Sequence, residues 1–98
     1  MFFTNDPILQ SPDFSKPFIL QVDACDMGAG GVLLQESDVD KLLHPVSYTS
    51  SRFKKHQMAY STIEKELLSL ILALQKFECY LLGAEKIEVY TDHNPSSF

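Results

Sequence analysis

Alternating apolar and polar residues predict three short strands in the first half of the chain. Residues 17–23, PFILQVD, are rich in bulky apolar side chains, and residues 31–35, GVLLQ, follow a glycine-rich stretch that permits a tight turn. Residues 44–50, HPVSYTS, alternate in the same way, and Pro45 favours a place near the sheet edge because proline donates no ladder hydrogen bond. The polar run 36–41 is typical of a hairpin loop between the second and third strands.

The second half of the chain predicts one long helix and a fourth strand. Ser61 and Glu64 form a capping-box pattern directly before an apolar run. Gly83 is a natural C-terminal stop, so we expect a helix over 62–82. Residues 86–91, KIEVYT, are typical of a strand. The order of three strands, a helix and a strand predicts an α/β domain with a mixed sheet.

The predicted topology brings two strand ends to the same edge of the sheet. If the fourth strand runs parallel to the third, the connection through the helix is a right-handed crossover and the fourth strand is also parallel to the first. Pairing of the first and fourth strands then gives the spatial order 3-2-1-4. Asp23 and Asp92 then occupy neighbouring carboxyl ends. Glu66 lies in the second turn of a helix that begins at this edge. Because Leu70 and Phe77 follow it at helical spacing, we expect Glu66 to face inward.

Three converging carboxylates indicate a metal site. They cannot all stay ionised at close range without a cation, and a ligand set made of oxygen atoms suits Mg²⁺ or Mn²⁺. Paired ions about 4 Å apart support phosphodiester cleavage. The alternative is that Asp23 and Asp92 cap strand ends, as aspartate commonly does in turns, and that Glu66 forms a surface salt bridge.

Composition indicates one globular domain, and the net charge argues against a basic nucleic-acid-binding protein. The chain has 98 residues, of which 45% are hydrophobic and 21% charged, enough for one modest core. The net charge of −5 argues against a nucleic-acid binder of the basic type, although bound metal ions can mask an acidic site. The basic cluster at 52–56 indicates a solvated loop on charge pattern alone.

The termini, cysteines and apolar runs point to an intracellular protein. The first ten residues carry no basic region followed by an apolar one, as a secretory signal would. The longest apolar stretch, 67–74, is too short to cross a bilayer, so we expect no membrane partner. Cys25 and Cys79 are too few for a disulfide framework, and we expect reduced, half-buried thiols.

Four blocks of the sequence, in order and with similar spacing, resemble the ribonuclease H domain of Ty3/gypsy-type retrotransposon polyproteins. The blocks are FILQVDACDMGAGGVLLQ (18–35), HPVSYTSSRF (44–53), YSTIEKELLSLILALQKFECYLLG (60–83) and VYTDHNP (89–95). Residues 5–18 also resemble the linker that follows a reverse transcriptase. The resemblance implies a lead-in over 1–16 and an RNase H-like domain over 17–98, truncated at its C-terminus.

This family resemblance implies an enzyme that cleaves the RNA strand of RNA·DNA hybrids with two Mg²⁺ ions held by four carboxylates. Three of these match by motif, namely Asp23 in VDA, Glu66 in EKEL and Asp92 in YTDH. In the family the fourth lies on a later segment, after a fifth strand, and no residue up to Phe98 matches it. We therefore expect the 98 residues alone to be weakly active or inactive.

A hybrid substrate gives the basic residues a possible role. Arg52, Lys54 and Lys55 become candidate phosphate contacts. His93 is a candidate contact to substrate or metal, with a loop histidine bonded to backbone as the alternative. The implied partners are the hybrid and the neighbouring reverse transcriptase and integrase segments, in a cytoplasmic particle or the nucleus. The unpaired outer side of the fourth strand also predicts a dimer through this edge.

Two functional classes stay open after these observations. One is a metal-dependent nuclease domain, and the other is a non-catalytic RNase H-like module that packs against neighbouring segments of a polyprotein. Retention of Asp23, Glu66 and Asp92 favours a nuclease origin. A small α/β ligand-binding domain has less support, because the glycines at 28–31 lack the G-x-G-x-x-G spacing of a phosphate loop.

Overall fold

Hydrogen bonding between four strands builds one mixed sheet. The computed structural model describes residues 9–91. The strands are β1 (Phe18–Ala24), β2 (Gly28–Glu36), β3 (Leu43–Arg52) and β4 (Ile87–Thr91). The spatial order is β3-β2-β1-β4, with β2 antiparallel to both of its neighbours and β4 parallel to β1. This order confirms the predicted 3-2-1-4 arrangement, with β3 at an edge as Pro45 indicated.

The helical region is divided at Phe77. Helix α1 spans Thr62–Lys76, and a short helix α2 spans Glu78–Leu81. Between them Phe77 has φ −98° and ψ 14°, and its side chain is only 1% exposed. The ring is anchored in the core, where it makes an edge contact with the Tyr80 ring at a centroid distance of 6.4 Å. The prediction of one unbroken helix over 62–82 is therefore wrong in its last turns.

Gly83 serves close packing and not a left-handed helix cap. Its φ is not positive, and its N–H donates a 3.3 Å hydrogen bond to the Tyr80 carbonyl. A Cβ at this position would lie 2.9 Å from Cδ1 of Phe14. The predicted glycine stop is thus wrong in its mechanism, because what residue 83 provides is room for the aromatic ring.

The core lies between α1 and one face of the sheet. Alternate residues of β1 face the helix, and the cluster is fully or almost fully buried. It consists of Phe18, Leu20, Val22, Leu33, Ala73 and Phe77. Among the residues that the structure describes, no helix is long and apolar enough to cross a membrane.

The buried stripe of α1 shares Ala73 and Phe77 with the predicted one but begins at Lys65 and Ser69, where Glu66 and Leu70 were predicted. Lys65, Ser69 and Ala73 are the buried residues of the helix, and Phe77 continues the spacing of four. Glu66 flanks this stripe and is half-buried. The stripe includes a lysine because its ammonium group reaches the end of the helix–sheet interface and finds partners there.

The glycine-rich stretch is the start of a strand and not a turn. β2 begins at Gly28, and the chain reverses at residues 25–27. A Cβ at Gly28 would lie 2.5 Å from the carbonyl oxygen of Ser51, so glycine is needed there for the close approach of β3. Cys25 and Cys79 are free and exposed, which corrects the expectation of half-buried thiols.

Candidate active site

Asp23 stands at the carboxyl end of β1 on the sheet face opposite α1. Its neighbour Val22 is 2% exposed and packs in the core, so strand alternation turns Asp23 to the open face, where it is exposed. In the sheet register Asp23 pairs with Gly30 of β2, and Gly30 pairs with Ser50 of β3. These three residues form a row across the open face.

Two shallow grooves meet at Asp23 and Gly30, which line both of them. The first has a volume of about 350 Å³, lies at the ends of β1, β2 and β3, and is also lined by Ser50 and Arg52. The second has a volume of about 340 Å³ and runs over the open sheet face past Tyr48. Asp23 is therefore accessible to a ligand from either side.

A contact from Lys65 ties the start of α1 to the turn after β1. The ammonium group donates a hydrogen bond of 3.1 Å to the carbonyl oxygen of Asp26 and lies 3.8 Å from a carboxylate oxygen of the same residue. It also lies 5.9 Å from the centre of the Phe53 ring. Because Lys65 precedes Glu66 and Asp26 follows three residues after Asp23, this contact holds both candidate ligands at one end of the domain.

Sequence analysis did not identify Lys65 as part of the site. A signal for it exists, because Lys65, Ser69, Ala73 and Phe77 recur every four residues and a lysine on a helix stripe of small and apolar residues is unusual. The motif EKEL was interpreted through its acidic residues, Glu64 and Glu66, and no prediction was made for Lys65.

The predicted capping box is confirmed at the start of α1. Ser61 accepts a hydrogen bond of 3.2 Å from the Glu64 N–H, and the Ser61 N–H donates one of 2.9 Å to the Glu64 carboxylate. The backbone N–H of Ser61, and after it the Ser61 hydroxyl, hold the pKa of Glu64 below its ordinary value. Glu64 is thus used in the cap, which supports the choice of Glu66 as the candidate ligand.

The basic candidates separate into two groups. Arg52 lines the same groove as Asp23. Lys54 and Lys55 are exposed in the loop that follows β3 and line neither groove at Asp23. Asp92 and His93 lie outside the described residues, so their predicted roles stay predictions.

The strand register supports the predicted meeting of two aspartates. Val22 pairs with Thr91 in the parallel ladder of β1 and β4. Asp23 follows Val22 in the sequence, and Asp92 follows Thr91. Within residues 9–91, no group of three or more histidine, cysteine, aspartate or glutamate residues could hold a metal ion. A site for Mg²⁺ of the predicted kind therefore depends on Asp92.

Comparison with known proteins identifies the family. The model of the RNase H-like domain found in reverse transcriptase matches residues 2–89. The Pol polyprotein from transposon 297 of Drosophila melanogaster is 43% identical over 91 residues, and that of transposon gypsy from the same organism is 40% identical over 95 residues. These matches cover 93% and 97% of the chain but only 8% and 9% of the two polyproteins.

A yeast relative and two solved structures agree with this assignment. The transposon Tf2-3 polyprotein of Schizosaccharomyces pombe is 41% identical over 90 residues, which is 91% of the chain and 7% of that polyprotein. A foamy viral protease-reverse transcriptase in complex with double-stranded DNA matches 93% of the chain and 16% of its own, with a TM-score of 0.73 and 22% identity. The same enzyme in complex with RNA/DNA hybrid matches 87% of the chain and 11% of its own, with a TM-score of 0.67 and 24% identity.

The structural matches, at 22% and 24% identity, are evidence of a shared fold. The sequence matches extend over nearly the whole chain, and the family model includes the blocks that carry Asp23 and Glu66 and ends at residue 89, before Asp92. The chain therefore belongs to the RNase H-like domains found in reverse transcriptase, of the kind carried by Ty3/gypsy-type retrotransposon Pol polyproteins.

Proposed function

We propose that this domain supplies metal-dependent hydrolysis of the RNA strand of RNA·DNA hybrids within a retroelement polyprotein. The observation that carries the proposal is the pairing of Val22 with Thr91, the two residues that directly precede Asp23 and Asp92. The contact between Lys65 and Asp26 brings the turn of α1 that contains Glu66 to the same end of the sheet. Asp23, the turn of α1 that contains Glu66, and Thr91, which Asp92 follows in the sequence, thus lie at one end of the sheet.

The donor set fits Mg²⁺ or Mn²⁺. Asp23, Glu66 and Asp92 would hold the ions through carboxylate oxygens, the ligands that these hard cations prefer. When bound, such ions generate a nucleophile from water and stabilise charge that develops on the phosphate. The chain itself contributes the open approach to Asp23 and, in the same groove, the guanidinium of Arg52, which suits a phosphate of the substrate.

A hybrid is the substrate class that the relatives support. The foamy viral protease-reverse transcriptase has been solved with RNA/DNA hybrid, and the Drosophila relatives are Pol polyproteins of retroelements. Discrimination of RNA from DNA requires contacts to the 2′-hydroxyl, which DNA lacks. Reverse transcriptase and integrase segments of a longer polyprotein are the proposed partners in the same chain.

Titration with Mn²⁺ by calorimetry tests the metal site. We expect weak binding to the 98-residue chain, in roughly the millimolar range, because few protein ligands leave much of the ion hydrated. Asp23→Asn should remove most of this binding. Asp26→Asn is the matched control, because Asp26 lies in the adjacent turn with a fully exposed side chain. Equal Mn²⁺ affinity in wild type and Asp23→Asn would contradict the assignment.

A non-catalytic module that packs against its polyprotein neighbours is the second candidate function. One observation favours it: the outer face of α1 exposes large apolar side chains at helical spacing. Ile63, Leu67 and Ile71 are 53%, 59% and 46% exposed. A stripe of this kind fits contact with another protein segment. Cleavage activity in a longer polypeptide that contains this domain separates the two functions.

A further inference from the structure

Gly30 is the glycine whose missing side chain the fold does not require. A Cβ there would have Thr49 O as its nearest neighbour, at an ordinary contact distance of 3.8 Å. The corresponding nearest distances are 2.5 Å at Gly28, 3.1 Å at Gly31 and 2.9 Å at Gly83, all of which are too close for a Cβ without movement of a neighbour. The φ of Gly30 is not positive, so its backbone also admits any residue.

A glycine inside a strand lowers stability because it is flexible when unfolded and packs no side chain. Gly30 lies in β2, which pairs on both sides, and β-branched residues are favoured at such positions. Glycine inside a strand often marks a bulge, a tight bend or the close approach of a ligand or another backbone. The register shift between β2 and β3 lies at Leu33 and Leu34, so a bulge does not explain Gly30. The feature of Gly30 that points to a ligand is its place in the floor of both grooves.

The residues around Gly30 form a channel floor of bare backbone. Asp23 and Ser50 flank it in the sheet register, and since adjacent strands lie about 4.8 Å apart, these two residues stand roughly 10 Å from each other. Arg52 follows two residues after Ser50 on the same face and pairs with Gly28. The channel thus has a carboxylate on one wall, with a hydroxyl and a guanidinium on the other.

We infer that the sugar–phosphate backbone of the nucleic-acid strand lies across Gly30, between Asp23 and Ser50, with Arg52 on a phosphate. This inference rests on the proposed function, in which Asp23 binds the metal at the reacting phosphate. The fork of an arginine matches phosphate oxygens, and a serine hydroxyl bonds phosphate or sugar. Because the chain carries a net charge of −5, a local cation such as Arg52 is needed to attract the anionic strand.

Substitution of Gly30 separates binding from folding. We expect Gly30→Val to unfold at the same temperature as wild type or a higher one, because the position has room for a side chain. Its affinity for a labelled RNA·DNA hybrid, measured by fluorescence anisotropy with Mn²⁺, should fall at least about tenfold, since the new side chain occupies the channel floor. Gly28→Ala is the folding control, and its Cβ, 2.5 Å from the Ser51 oxygen, should lower the unfolding temperature.

Substitution of Arg52 tests the phosphate contact. The slope of log affinity against log salt concentration should become shallower by about 1 in Arg52→Gln, as expected for the loss of one phosphate contact. Lys76→Gln is the charge-matched control, because Lys76 lies at the far end of α1 and should leave the slope unchanged. Amide chemical shifts give the location, and the largest changes with hybrid should fall at 28–30 and 50–52.

Three results would overturn the inference: wild-type hybrid affinity in Gly30→Val, no measurable hybrid binding by the wild-type chain, or the largest shifts outside these two segments. The proposed function has a separate test, because Mn²⁺ binding through Asp23 does not involve Gly30. A chain that binds Mn²⁺ through Asp23 and tolerates Gly30→Val keeps the metal site and loses the proposed channel.

Discussion

The ammonium group of Lys65 in α1 donates a hydrogen bond of 3.1 Å to the backbone carbonyl of Asp26 in the turn after β1. The lysine side chain is 11% exposed, so its charge is largely removed from water. Burial of a charge with few polar partners contributes little to stability. We infer that the contact serves mainly to fix the relative position of two elements, because it joins the helix that carries Glu66 to the turn that follows Asp23.

Lys65→Met should loosen this junction while it leaves the fold intact. The methionine preserves the apolar stem beside Phe53, and we expect the free energy of unfolding to change by less than about 1.5 kcal/mol, because loss of the charge-assisted hydrogen bond is offset by removal of the cost of burying a charge. Amide exchange should become faster at Cys25 and Phe53, whose N–H groups bond to Gly28 O and Met27 O around the turn. Hydrogen exchange followed by NMR measures both, with Lys76→Met as an exposed control. Unchanged exchange at both amides would show that Lys65 does not hold the turn.

Glu66→Gln should abolish cleavage in a longer polypeptide that contains this domain. We expect the 98 residues alone to be nearly inactive and the longer protein to cleave a labelled hybrid with Mg²⁺ or Mn²⁺. Outer-shell partners of a metal typically change activity by about 10–100-fold, so loss of a direct ligand should exceed about 100-fold. Glu64→Gln is the matched control, because Glu64 serves the helix cap. A longer protein that folds normally and stays inert with both metals would favour the non-catalytic module.

Ser61→Ala should lower the free energy of unfolding by about 1 kcal/mol, the typical cost of a lost N-cap. The serine hydroxyl accepts from the Glu64 N–H, and without it that donor at the helix start has no side-chain partner. Urea denaturation of the purified domain gives the measurement. Thr62→Ala changes the next residue, which is exposed and does not cap, and should cost less. Equal losses in the two variants would speak against the cap.

Stability should depend on pH through Glu64. Its pKa in the folded chain lies below the ordinary value of 4.5, because the Ser61 N–H and hydroxyl bind the charged form. The ionised carboxylate therefore stabilises the fold above the unfolded-state pKa, and this contribution is lost as pH falls through the folded-state pKa. Glu64→Gln keeps an acceptor for the cap without the charge. Wild type should be the more stable of the two at neutral pH, and the difference should vanish in acid; a difference independent of pH would contradict the coupling.

The sheet order could be predicted because it depends on patterns within short stretches of the sequence. Alternation defines the strands, a crossover through a helix has a fixed hand, and Asp23 follows directly on a buried strand. The break at Phe77 could not be predicted in this way. The surrounding sequence favours a helix throughout, and the interruption arises from packing of the Phe77 and Tyr80 rings in the core, a tertiary effect.

In the candidate site, the roles of Gly28 and Lys65 also depend on tertiary contacts that could not be predicted from the sequence. Gly28 was predicted to lie in a turn because glycine permits one. Its close approach to the carbonyl of Ser51 could not be predicted, because Ser51 is distant in sequence. Lys65 was not identified because charged residues normally face solvent, and its partner in the turn after β1 becomes evident only in three dimensions. Residues whose roles depend on distant neighbours are those that sequence patterns describe least well.

The parallel pairing of β1 with β4 determines when, during synthesis of the chain, the sheet can be completed. Phe18 pairs with Ile87, so the β1–β4 pair joins the first strand to the last, whereas the β1–β2 and β2–β3 pairs join strands that are neighbours in the sequence. Contacts between distant segments form late because closure of a long loop is entropically costly. On the ribosome, β4 emerges after every other element of the sheet. A nascent chain would therefore carry Asp23 and Glu66 before it could assemble the proposed carboxylate cluster.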